Sequence, residues 1–63
     1  MDKLMTGLIS IAKANNYTNV ESVECKDLQY SIYALNDCNV RVLIGFGSSL
    51  INAINDAFDY LES

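Results

Sequence analysis

Histidine is absent from this 63-residue sequence, basic residues number four, and glycines number three. Without histidine there is no ordinary base for a serine or cysteine nucleophile and no imidazole ligand for zinc. The chain is therefore read as a non-enzyme, with no metal and no cofactor. Four basic residues against eight acidic ones leave a net charge of −4. A surface of that sign repels phosphates, so nucleic acid is a poor default partner. No apolar run approaches the length of a signal-peptide core or a membrane span. The expected location is the cytoplasm, that of the host if a phage encodes the chain, and no membrane partner is expected.

Sixty-three residues, 51% of them hydrophobic, make one small globular domain over 1–63. A core below roughly 70 residues seldom supplies more than about 3 to 5 kcal/mol net, so reinforcement by a disulfide, a metal or self-association is usual. The two cysteines, Cys25 and Cys38, fall at opposite ends of a predicted strand. About seven residues at roughly 3.3 Å each separate them. A disulfide needs Cα atoms within about 7 Å, so no internal bond is expected, in keeping with a reducing cytosol. Self-association is the reinforcement left.

Leu4, Leu8, Ile11 and Ala12, widened by Met5 and Ile9, recur at helical spacing over residues 2 to about 15. Asp2 is placed to cap this helix, and Asn15-Asn16 to end it, since asparagine tolerates the left-handed conformation. From Val20 the period changes to two. A weak strand around Glu21 to Cys25 precedes Lys26-Asp27. Leu28, Tyr30, Ile32 and Ala34 then alternate with Gln29, Ser31, Tyr33 and Leu35. After the turn residues Asn36-Asp37-Cys38-Asn39, Val40, Val42, Ile44 and Phe46 alternate with Asn39, Arg41, Leu43 and Gly45. Gly45 to Ser49 breaks the pattern, and Ser48 or Ser49 caps a second helix burying Leu50, Ala53, Ile54, Ala57, Phe58 and Leu61. The expected fold is a two-layer α+β domain of order α-β-β-β-α, with both helices on one face of an antiparallel sheet.

Read this way, the chain resembles a double-stranded-RNA-binding domain over nearly its whole length. The most specific stretch is Gly45-Phe46-Gly47-Ser48-Ser49-Leu50-Ile51-Asn52-Ala53-Ile54-Asn55-Asp56-Ala57, similar to the family pattern G-x-G-x-S-K-K-x-A-K-x-x-A. The glycines, the serine and the alanines match in spacing. The three lysines that reach RNA phosphates in the family are Leu50, Ile51 and Ile54 here. The family's RNA-reading loop between its first two strands is reduced to Cys25-Lys26-Asp27-Leu28. The resemblance thus implies the fold and not the RNA-binding activity. Some RNA-free members of the family bind proteins or dimerise. The same glycine-serine-leucine stretch with its following alanines also resembles the end of HicB-type antitoxins.

Two other patterns bear on chemistry. Asp56 and Asp59 sit three apart on the second helix, as a carboxylate pair or a solvated polar face. Gly45-x-Gly47 before a helix has the look of an anion cradle, but a dinucleotide fingerprint needs a third glycine. Three functions remain. The first is a protein-interaction module, partnering another protein or itself as a homodimer. It would use the outer sheet face or the third-strand edge, with Tyr33, Leu35, Arg41 and Leu43 as contacts. The second is a small acidic phage or mobile-element inhibitor, anti-CRISPR-like. It would offer Asp56, Asp59 and Glu62, with Glu21 and Glu24, where a host complex expects phosphates. The third is a degenerate duplex-RNA binder.

Overall fold

The computed structural model describes residues 3–62, leaving the Asp2 cap outside the described residues; the side chain of Leu28 is likewise not described. The elements are α1 (Lys3–Ala14), β1 (Thr18–Cys25), a 3-10 turn (Lys26–Leu28), β2 (Gln29–Leu35), β3 (Arg41–Gly47) and α2 (Leu50–Glu62). The three strands form an antiparallel sheet in the order β1-β2-β3, so β2 is central. The expected α-β-β-β-α order holds. It is compatible with the topology of the resembling family.

Asparagine and aspartate make the corners. Asn16, Asn19, Asp27 and Asn39 all have positive φ. These residue types enter the left-handed region at lower cost than other side chains. Asn16 ends α1 as expected. Tyr17 N–H donates to the Ala12 carbonyl at 2.8 Å and Asn16 N–H to Lys13 at 3.1 Å, the paired bonds of a Schellman closure. In the β2–β3 turn, Asn36 Oδ1 accepts from the N–H groups of Cys38 and Val40 at 2.9 and 3.0 Å. Ser49 is the cap of α2, its hydroxyl accepting from Asn52 N–H at 3.1 Å.

One core lies between the sheet and the helices. Leu8 and Ala12 of α1, Ile32 and Ala34 of β2, Ile44 of β3, and Ala53, Ile54, Ala57 and Leu61 of α2 are buried together. Both helices therefore cover the same face of the sheet. Leu50 and Phe58 pack against this core, completing the α2 face read from the sequence. α1 enters it later than its pattern implies. Leu4 is 40% exposed and Ile9 39%, while Met5 and Ile11 are half-buried. The helix meets the core through Met5, Leu8, Ile11 and Ala12, while Leu4 and Ile9 lie at its margin.

β3 departs most from the simple alternation. Val40 precedes the strand and is 55% exposed. Leu43 pairs with Tyr33 and Gly45 with Ile32, which leaves Ile44 as an extra residue, a β-bulge. Beyond a bulge the alternation inverts. Gly45, opposite Ile32, faces the helices, and Phe46, opposite Ser31, turns to the other face. The expectation that Phe46 points inward is thus overturned, and so is the break at Gly45, since β3 continues to Gly47.

The packing of α2 gives the reason. A Cβ on Gly45 would collide with the Ala53 carbonyl and lie 2.8 Å from Ala57 Cβ; one on Gly47 would lie 2.7 Å from Ala53 N. No glycine has positive φ. Their use is close approach, and the bulge sets both of them beneath the alanines of α2.

β1 is also longer than its weak signal, starting at Thr18 with an irregularity between Thr18 and Glu21 around the positive-φ Asn19. Leu28 belongs to the 3-10 turn and not to β2.

Candidate interaction surface

Opposed residues in an antiparallel ladder share a face. The register therefore sorts the paired strand residues by face. Tyr30, Ile32, Ala34, Val42, Ile44 and Gly45 lie on the helix side. On the outer side Val23, Ser31 and Phe46 make one row, and Glu21, Tyr33 and Leu43 the next; Leu35 and Arg41 pair beyond them. Among the described residues, no helix covers this side. Leu43 is 47% exposed and Phe46 46%.

All four contact residues expected from the sequence, Tyr33, Leu35, Arg41 and Leu43, are on this outer face. The register also brings Phe46 and Val23 into it, which the alternation had missed or left unread. A signal for Phe46 exists in the sequence. Gly45-x-Gly47 ahead of Ala53-x-x-x-Ala57 is a pattern for helix-on-strand contact through small residues. With both glycines turned inward, the residue between them must face out.

Arg41 sits over the face. Its guanidinium carbon lies 4.0 Å from the centroid of the Tyr33 ring, and its Nη2 donates to Glu21 Oε1 at 2.7 Å. Stacking fixes the guanidinium plane and the carboxylate holds its end, so two opposite charges are neutralised across all three strands. Both partners are more than half exposed, which limits the pair to at most about 1 kcal/mol of stability. Its effect is to balance the charge of the face. An open recess of about 210 Å³ lies at this end, lined by Asn19, Glu21, Tyr33, Ala34, Leu35 and Arg41. A second recess of equal volume lies between α1 and β1. Volume alone therefore does not select a site.

Ser31 lies on the outer face but is only 4% exposed, beneath its row neighbours Val23 and Phe46, with its hydroxyl 3.4 Å from Cys25 Sγ. Cys25 and Cys38 are free thiols, the second exposed in the β2–β3 turn.

The acidic residues do not gather on one surface. Asp59 and Glu62 are exposed on α2, and Glu24, opposite Tyr30, is on the β1 edge, away from the Arg41-paired Glu21. Asp56 has local work: its Oδ2 accepts the Phe46 N–H at 3.0 Å. That bond covers part of the β3 edge. Among the described residues, no group of three or more His, Cys, Asp or Glu is placed to hold a metal, and no helix is long and apolar enough to cross a membrane.

The positions of the resembling family's lysines are divided between core and surface. Ile54 is fully buried, Leu50 is half-buried, and Ile51 is 56% exposed. Comparison of the chain with protein-family models, with curated proteins and with solved structures finds no match.

Proposed function

We propose that this chain is a non-catalytic protein-interaction module whose docking surface is the outer face of its sheet. The observation that carries the reading is a pair of adjoining apolar rows, Val23 with Phe46 and Tyr33 with Leu43, on the side of the sheet away from the core. Tyr33 and Arg41 are the anchors, because a stacked, pre-oriented guanidinium and ring lose little freedom on binding. The fold is read as double-stranded-RNA-binding-domain-like. Duplex RNA is not the proposed ligand, since Leu50, Ile51 and Ile54 carry no charge to phosphate.

The test is the double variant Tyr33→Ala, Leu43→Ala. It should abolish association while the domain stays folded, and unchanged association by the folded variant would remove the proposal. A second reading, an acidic inhibitor of a nucleic-acid-handling complex, draws on Asp59 and Glu62, exposed on a helix that has no basic residue. Salt separates the two. Acidic mimicry weakens steeply with ionic strength, and an apolar contact does not.

A further inference from the structure

We infer that the occupant of the outer face is a second copy of this chain, packed sheet against sheet about a two-fold axis. This rests on reading that face as the docking surface. The first support is charge. Each copy carries −4, so two copies repel unless they meet where charge is balanced. On the outer face Glu21 and Arg41 neutralise each other at 2.7 Å. On α2, Asp56, Asp59 and Glu62 stand with no cation on the helix. A two-fold contact sets a surface against itself, so the helix would oppose acid to acid. The outer face instead sets Phe46, Leu43 and Val23 against their equivalents.

The second support is the edge. Adding a strand to β3 needs its outward N–H groups, and Asp56 already takes that of Phe46. Face packing leaves this bond intact. It also completes a two-sheet sandwich, with layers about 10 Å apart and the two outer rows as a second core. The face is small. Seven-residue strands rising about 3.3 Å per residue, three of them about 4.8 Å apart, give a face of roughly 23 by 14 Å. That is below the roughly 800 Å² per partner of a standard interface. The dimer is accordingly weak and reversible.

The experiment is sedimentation equilibrium of the full chain from about 10 µM to about 1 mM, at about 50 and about 500 mM salt. Wild type, Phe46→Lys and Leu43→Lys are compared. Wild type should pass reversibly from the 7.0 kDa monomer toward twice that mass and stop there. High salt should tighten it, because screening relieves the mutual repulsion. Both variants should remain monomeric while keeping the wild-type melting curve; should Phe46→Lys misfold, Leu43→Lys carries the test alone. A wild type that stays monomeric overturns the inference, as does a folded variant that dimerises normally or a dimer that salt dissolves. If wild type is monomeric, capture of a lysate protein by wild type but not by the folded variant overturns the second copy alone. Capture that the variant does not change, or no capture at all, removes the docking reading with it.

Discussion

The two faces of this sheet share the same three strands and differ in what they tolerate. The inner face packs the large side chains of Ile32 and Ile44 beside small residues in close contact: Gly45 and Gly47 lie under Ala53 and Ala57, with no room for a methyl group at either glycine. The outer face carries Tyr33, Leu43 and Phe46, with no element above them among the described residues. A single bulge at Ile44 makes the difference, since it turns the glycines toward the helix and Phe46 away. Residues that shape the fold and residues that meet a partner are thus interleaved on one strand.

The comparison breaks first at its tightest point. Gly45→Val should destabilise the domain by more than about 3 kcal/mol, enough to leave so small a fold largely unfolded in thermal melts. Ile54→Ala, at a fully buried position against the sheet, should cost about 2 to 5 kcal/mol by denaturant titration. That variant also bears on the family resemblance, because Ile54 stands at one of the lysine positions and works here as core. Asp56→Ala should cost about 1 kcal/mol through the lost bond to Phe46 N–H. It should also raise aggregation at high concentration, seen as light scattering, as the β3 edge is uncovered. On the other face, Phe46→Lys should change stability by less than about 0.5 kcal/mol.

The smallest expected effect concerns the exposed Tyr17–Tyr60 contact, where the hydroxyls are 3.4 Å apart and the rings 6.4 Å apart, edge to face. Tyr17 titrates above the ordinary tyrosine value, chiefly because its hydroxyl is hydrogen-bonded to Tyr60, with burial adding to the effect. A raised value means the folded state holds the proton more tightly. Its contribution is complete below the unfolded tyrosine value and fades as pH rises through the folded one. Tyr60→Phe should bring the Tyr17 titration back toward the ordinary range in an alkaline absorbance titration.

Much of this fold is legible from residue order alone, because its signals are local. The stripe of α2, the Asn15-Asn16 stop, the Asn36–Asn39 turn and the Ser49 cap each depend on neighbours within one or two turns. The bulge is not local. Its position follows from helix contact, and period-two counting through Ile44 put Phe46 on the wrong side. Leu4 fails for a related reason: its spacing suits the stripe, but it stays 40% exposed, and burial depends on tertiary contact that spacing does not report. The resemblance is instructive in the same way. Its matched residues, Gly45, Gly47, Ser49, Ala53 and Ala57, are those of close packing and capping, so they report architecture. On the candidate surface, Tyr33, Leu35, Arg41 and Leu43 were readable by alternation, whereas the reach of Arg41 across Tyr33 to Glu21 needed the register.

The division of labour between the faces is tested most directly by amide chemical shifts of the labelled chain at about 20 µM and about 1 mM. Concentration-dependent shifts confined to Val23, Ser31, Tyr33, Leu43 and Phe46, with the amides of α2 unmoved, are the result expected of a surface that associates without disturbing the core. Shifts centred on α2, or none on the outer face at any concentration, would contradict it.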